Sequence, residues 1–408
     1  MLLPPTPTPP PSFLPPSFLP ALVFFPLPRL HHLLLTIVRR IDTCNIYSKV
    51  PGLPDAPITD PTQRYQNPSS LIQDGPRIHE YLRELRSVCD EYGDKMTVGE
   101  LGLTQNRHRL LKYVNASRRE LSEVFEFSML SLGRDYRGYQ YRKDFGVRDI
   151  EKAIAYSQGL LENTEAWTTT FCENHDSARS ISRFTTRDER YHKKCGKLLA
   201  TFTASLSGTL FLYQGQEIGM TNILPSWGPE EYKDVEAQNF ITKLRSEFPG
   251  DEEMFARGMA GLNQFGRDNA RTPVQWDASR HAGFTPGDKP WMRVNENFKD
   301  GINVAEQVVD GGSVLNYWRR MIALRKKYED VFVFGKTYIV HGQDERLMTF
   351  WKIGRNGAGR AFVVLNWSGN TVLFQKSGGT KLLIGNGDTG SMNETKLEPW
   401  EARIYIPT

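Results

Sequence analysis

Three short apolar runs in this chain each end in a carboxylate: residues 36–42 at Asp42, 96–100 at Glu100, and 167–176 at Asp176. A parallel β/α barrel places its chemistry at the carboxyl ends of its strands, so three such acids can converge on one pocket. Cleaving a bond between sugars with retention needs two carboxyl groups about 5 Å apart, one to attack the anomeric carbon and one to protonate the departing oxygen and then activate water. Asp42 suits the first role, because Arg40, two residues earlier on a strand, faces the same side and can hold the carboxylate ionised. Glu100 suits the second: Gly99 is expected to leave room beside it, and a semi-apolar barrel mouth raises a carboxyl pKa toward that of a usable acid. Asp176, beside His175, is placed to stabilise the positive charge of the transition state and to grip sugar hydroxyls. Taken singly, each has a plainer reading. A strand-end acid often caps a helix or joins a loop salt bridge, and a His–Asp pair is commonly a structural hydrogen bond. Tyr65, Phe125 and Trp227 are candidate sugar-stacking platforms, with core packing as the default for each.

The elements that must position these acids are legible as alternating β/α units from about residue 33. Pro76 opens a helix in which Ile78, Leu82 and Leu85 recur at helical spacing, and Gly93 stops it. Strands are expected at 124–127, 166–172 and 209–213, and helices at 150–162, 190–206 and 313–328. That makes five strand-like units rather than eight. Past residue 331 the pattern changes to strands alone, at 337–340, 347–353, 361–367, 371–374, 381–384 and 402–406. The expected fold is therefore α/β: an incomplete TIM-type (β/α)8 barrel over 33–330, followed by a small antiparallel β-sandwich domain over 331–408.

The 408 residues are 39% hydrophobic and 24% charged, the balance of a soluble globular protein with room for a large core. A net charge of +4 over this length does not point to nucleic acid. The densest basic cluster, Arg319, Arg320, Arg325, Lys326 and Lys327, reads as the solvated face of one amphipathic helix. Cys44, Cys89, Cys172 and Cys195 show no paired metal-ligand spacing and read as free thiols of a reducing, cytoplasmic compartment. Residues 1–32 form a Pro-rich leader, with eleven prolines in the first thirty positions. No basic residue precedes Arg29 and prolines interrupt every apolar run, so a disordered segment is expected rather than a secretory signal or a membrane span.

The ordered motifs resemble the α-glucosidases of glycoside hydrolase family 13, most closely the fungal maltase type. Arg40-Ile41-Asp42-Thr43 with the following Tyr47 to Asp55 is similar to the family's nucleophile region, Thr97-Val98-Gly99-Glu100 to its acid/base region, and Glu173-Asn174-His175-Asp176 to its third-carboxylate region. The likeness continues through Tyr213 to Asn222, Arg267 to Asp277 and Glu398 to Ala402. The resemblance implies a hydrolase that removes terminal α-linked glucose from maltose and short α-glucosides with retention and without an organic cofactor; a monomer with no metal among its site residues is expected, while a calcium site elsewhere stays open. It makes Asp42 the nucleophile, Glu100 the acid/base and Asp176 the stabiliser, with Arg40, His175 and Arg267 contacting the glucose. Thr43 matches maltose-cleaving members. Residues 1–39 resemble none of the β/α units that precede the nucleophile strand in the family. A truncated or wrongly joined gene product is therefore expected, poorly soluble and weakly active, with a non-catalytic sugar-binding remnant as the alternative.

Overall fold

The computed structural model describes residues 38–408, apart from 62–63, 94, 103–105, 136, 343, 358 and 388–394. The proline-rich leader lies outside the described residues. The elements that position the site run in the order β1 (Val38–Ile41), α1 (Ile78–Glu91), β2 (Met96–Leu101), α2 (Arg107–Val114), β3 (Glu123–Glu126), α3 (Val147–Gly159), β4 (Thr169–Thr170), α4 (Ser180–Phe184), α5 (His192–Ser205) and β5 (Thr209–Leu210). Helices α6 (Val235–Glu247), α7 (Glu252–Phe265) and α8 (Val314–Lys327) follow.

Strands β1, β2 and β3 form one parallel sheet in chain order, and β4 pairs with β5 in a second. The two are joined through side chains: the Thr169 hydroxyl donates to the Val124 carbonyl at 2.9 Å, and the Thr209 hydroxyl to Glu123 at 2.6 Å. Ile41 pairs with Gly99 and Gly99 with Val124, so the next level upward sets Asp42 beside Glu100 and Glu100 beside Phe125. Residues at one level of a parallel sheet face the same way, which aims both carboxylates into the same space. Beneath them Ile41, Cys44, Ile78, Leu82, Leu101, Leu110 and Val124 form a shared core. Ile78 and Leu82 are one helical turn apart, so α1 buries a single stripe against the sheet.

After α8 come β6 (Lys336–Ile339), β7 (Leu347–Ile353), β8 (Arg360–Asn366), β9 (Val372–Leu373), β10 (Thr380–Gly385), β11 (Lys396–Leu397) and β12 (Ala402–Pro407). Five of them make an antiparallel sheet in the order β10-β12-β8-β7-β6. A short antiparallel β9–β11 ribbon packs on one face of this sheet. Alternation along β8 explains the arrangement. Ala361, Val363 and Leu365 join Leu198, Phe202, Trp318 and Met321 of α5 and α8, while Phe362 and Val364 pack under the ribbon with Val372, Phe374 and Leu397. One apolar core thus passes from the helices behind β4 and β5 into the C-terminal sheet.

Arg325 departs from the expected solvated face. It is buried, and its guanidinium donates to the carbonyls of Ala204 (2.8 Å), Leu206 (2.6 Å), Phe332 (3.0 Å) and Gly208. The last turn of α5 leaves carbonyls with no helical partner, and this side chain satisfies that of Ala204 together with the carbonyls of the loop that follows. The other four basic residues of the cluster are not buried.

Glu123 opens β3 inside the wall. It accepts from Thr209, which in turn accepts from the Trp167 indole at 2.9 Å, while its second oxygen is buried without a partner. Burial pushes its carboxyl up to about 7, against the lowering effect of the Thr209 bond. For an acid whose folded-state pKa is raised, stability is greatest while both states are protonated and falls as pH rises from the unfolded value through the folded one. The penalty above pH 7 amounts to about 3 kcal/mol at most. Glu123→Gln is therefore expected to match the wild type near pH 4.5 and to be the more stable protein at pH 8. Urea unfolding at the two pH values checks this, and equal stabilities at pH 8 would refute it.

Candidate active site

The Arg40 guanidinium sits between two of the candidate acids. Its Nη2 lies 2.8 Å from Asp42 and in direct hydrogen-bond contact with Glu100. One nitrogen bonded to both limits their nearest oxygens to two hydrogen-bond lengths, about 6 Å. The environments of the two acids differ. The Asp42 side chain is 67% exposed and that of Glu100 17%. Burial raises the Glu100 carboxyl above the ordinary glutamate range, as do its hydrogen bond with Asp42 and the charges of Asp42 and Asp176, while Arg40 opposes the rise. A buried carboxyl whose pKa is raised, beside a solvent-exposed one, is the difference in environment that suits a proton donor and a nucleophile.

That balance makes Arg40 the control on Glu100. Removing the guanidinium in Arg40→Met takes away a charge that lowers the Glu100 pKa, so Glu100 is expected to hold its proton to higher pH. A carboxyl-carbon NMR titration reads this directly, and an unchanged or lower midpoint would contradict it.

Asp176 reaches the site from the loop after β4. Its backbone N–H donates to the Asn174 side chain at 2.9 Å, and its carboxylate contacts His175 Nε2 at 3.2 Å. Arg267 Nε is 3.7 Å from Asp176 and 3.1 Å from Glu236. The closest cation is a residue to which sequence reasoning assigned no role. Arg271 Nη2 is 2.7 Å from Asp176, its Nη1 is 2.6 Å from Asp234, and its Nε donates to the His175 carbonyl at 2.9 Å. Its signal was its position, four residues beyond Arg267 in the same motif. Arg40 joins Asp42 to Glu100, His175 and Arg267 flank Asp176, and Arg40, Glu100 and His175 line the same cavity.

A cavity of about 180 Å³ is lined by Arg40, Glu100, Asn174, His175, Tyr213 and the rings of Phe125, Phe127, Phe171 and Phe211. Asp42, bonded to Arg40, and Asp176, bonded to His175, stand beside this wall. Phe125 meets Phe171 and Phe211 edge-on at ring-centre distances of 5.2 and 4.7 Å, so it is held in an aromatic wall facing the cavity. The other two candidate platforms lie elsewhere. Trp227 is buried in a separate cluster beneath the Arg293 guanidinium, and Tyr65 is exposed on a loop. Gly99 also acts differently from expectation. A Cβ there would meet Leu121 Cδ1 at 2.5 Å and Cys44 Sγ at 2.7 Å, so the missing side chain makes room for core packing and not for substrate beside Glu100. Neighbours on a strand face opposite ways, which sends the space at Gly99 to the other side of β2.

All four cysteines are free thiols. Among the described residues no group of three or more His, Cys, Asp or Glu side chains is arranged to hold a metal ion, and no helix is long and apolar enough to cross a membrane.

The carboxyl ends of parallel strands, where β/α barrels carry their functional side chains, thus bring Arg40 and Glu100 to one aromatic-walled cavity with Asp42 and Asp176 beside it. Residues 39–335 match the alpha-amylase family, described as alpha amylase, catalytic domain, and the chain belongs to that family. It is 41% identical over 372 residues to an alpha-glucosidase of Candida albicans, and 37% and 36% identical to the alpha-glucosidase MAL32 and the oligo-1,6-glucosidase IMA5 of Saccharomyces cerevisiae. Each alignment covers 90% of this chain and 64% of the relative, so the chain spans just under two thirds of the length of these proteins. Among solved structures it is similar to isomaltulose synthase from Erwinia rhapontici, with 30% identity and a TM-score of 0.80 over 90% of this chain and 65% of that one. It is also similar to trehalose-6-phosphate hydrolase from Bacillus licheniformis, with 30% identity and a TM-score of 0.78 over 91% and 65%.

Proposed function

We propose that this chain carries the active centre of a retaining α-glucosidase acting on maltose and short α-glucosides. Asp42 attacks the anomeric carbon to form a glucosyl-enzyme ester while Glu100 protonates the departing oxygen. Glu100 then deprotonates the water that hydrolyses the ester. Asp176 stabilises the oxocarbenium-like transition state, and Arg40, His175 and Arg267 hold the glucose. The observation that carries this reading is the single Arg40 nitrogen shared by Asp42 and Glu100. It holds the nearest oxygens of the two carboxyl groups within about 6 Å of each other, which favours the close pairing of a retaining enzyme over the wider one that seats a water between acid and base. Proton NMR of methyl α-glucoside hydrolysis, in which the one glucose released comes from the cleaved bond, tests the proposal: α-glucose is expected as the first-formed anomer, and β-glucose first would overturn it.

The five parallel strands correspond, on this reading, to five units of an eight-unit barrel. A second reading, a sugar-binding remnant with little turnover, draws support from the exposure of Asp42, since a nucleophile two-thirds open to water is poorly shielded from solvent. Glucose binding by calorimetry without turnover above an Asp42→Asn control would favour the remnant.

A further inference from the structure

We propose that Arg179 is a positioning residue whose one buried guanidinium locks together the three loops that carry Asp176, Tyr213 and Arg271. The proposal deepens the glucosidase reading and rests on it. Arg179 is fully buried and touches none of the carboxylates assigned to the chemistry. Its Nη1 is 3.1 Å from Glu173, the start of the segment that ends at Asp176, and donates at 2.7 Å to the carbonyl of Gln214, in the loop after β5. Its Nη2 donates at 3.3 Å to the carbonyl of Ala270, the residue before Arg271. The guanidinium lies 5.2 Å from the centre of the Tyr213 ring, and the Tyr213 hydroxyl also donates to Ala270, at 3.1 Å. Gly215, at φ +88°, is required here: a Cβ would meet Arg179 Nη1 at 3.1 Å and Met220 Sδ at 2.5 Å.

The partner Glu173 is buried as well, and its other oxygen accepts from the Ser180 N–H at the start of α4. A buried ion pair is weak evidence for stability, because well-packed apolar replacements are often as stable. What such replacements lack here is a fork that reaches two carbonyls from different loops. The relay then runs outward: Ala270 fixes the backbone of Arg271, and Arg271 grips both the His175 carbonyl and the Asp176 carboxylate. Arg179 thus sets where Asp176 stands relative to Glu100.

The test uses the full chain with the double substitution Glu173→Gln/Arg179→Met, which removes both charges together. Amide hydrogen exchange is expected to quicken in 174–177, 213–220 and 267–272 at once, with the C-terminal sheet unchanged. Alongside this, kcat on 4-nitrophenyl α-glucoside is expected to fall about 100-fold with KM within about threefold, the scale of a 1 Å misplacement. Exchange that quickens only around 173–180, or a kcat within twofold of wild type in a folded variant, would overturn the proposal. If the double variant does not fold, Arg179→Lys gives the same readout, since it keeps the charge beside Glu173 but has no second arm for Ala270. Should the wild-type chain turn over no faster than Asp42→Asn, the glucosidase reading fails and the exchange pattern alone decides the role of Arg179.

Discussion

Asp42→Asn is expected to lower kcat on maltose by at least about 10⁴-fold, the scale seen when a covalent nucleophile is removed. The substitution keeps the shape of the side chain and changes a group that is two-thirds exposed. Its cost in stability should therefore stay within about 0.5 kcal/mol. Two effects combine in the loss. The amide cannot form the glucosyl ester, and Glu100 loses a neighbour whose hydrogen bond and charge help to keep it protonated. A thermal melt beside the initial rates separates catalysis from folding. A sharper result comes from Asp42→Gly with azide. The azide nitrogen bonds to the anomeric carbon from the vacated face as the carbon–oxygen bond breaks and Glu100 protonates the leaving oxygen, so an α-glucoside should give the β-glucosyl azide. Recovery of the α-azide, or a rate within tenfold of wild type in Asp42→Asn, would remove Asp42 from the nucleophile role.

What the sequence conveyed about this site follows from how locally each feature is encoded. The level shared by Asp42 and Glu100 depends only on where two strands end, and apolar runs closed by an acid mark those ends. Helix α1 was equally plain, with Pro76 before it, an apolar stripe along it and Gly93 at φ +90° after it. Arg271 and Asp234 were not legible as partners of Asp176, because they sit on the far side of β5 and only the folded path of that loop brings them near. Helices α6 and α7 of the same stretch went unforeseen although each has a capping signal, with Asp234 accepting from the Glu236 N–H and Asp251 from the Met254 N–H. Arg325 and Trp227 show the opposite limit. Charge on an amphipathic helix suggests solvent and an aromatic in a loop suggests a ligand, yet unpaired carbonyls at the end of α5 draw the first inward and the core shared by α6 and α7 takes the second. Gly99 was noticed for its lack of a side chain, but only the packing of Cys44 and Leu121 reveals which side of the strand needed the space.

Glu100→Gln should divide substrates by their leaving groups. Maltose departs as a sugar hydroxyl that needs a proton, so kcat/KM for maltose is expected to drop by about 10²- to 10⁴-fold, the span attributed to a positioned general acid. A 4-nitrophenyl group leaves as a stabilised anion and needs little help, so formation of the glucosyl-enzyme from that substrate should slow far less. The ester should then accumulate, because the same side chain is required to activate water. The pH dependence provides an independent check. Glu100 acts as an acid in its protonated form, and burial, Asp42 and Asp176 all raise its pKa, so wild-type kcat/KM on maltose should be retained past the ordinary glutamate range and be lost as pH climbs through the Glu100 value. Glutamine does not titrate, and the alkaline limb that belongs to Glu100 should be absent from the variant. Equal losses on maltose and on the 4-nitrophenyl substrate, with the alkaline limb intact, would assign the proton donor to another residue. Glu236, which bonds Tyr139 at 2.7 Å and Arg267 at 3.1 Å near Asp176, would then be the next carboxylate to substitute.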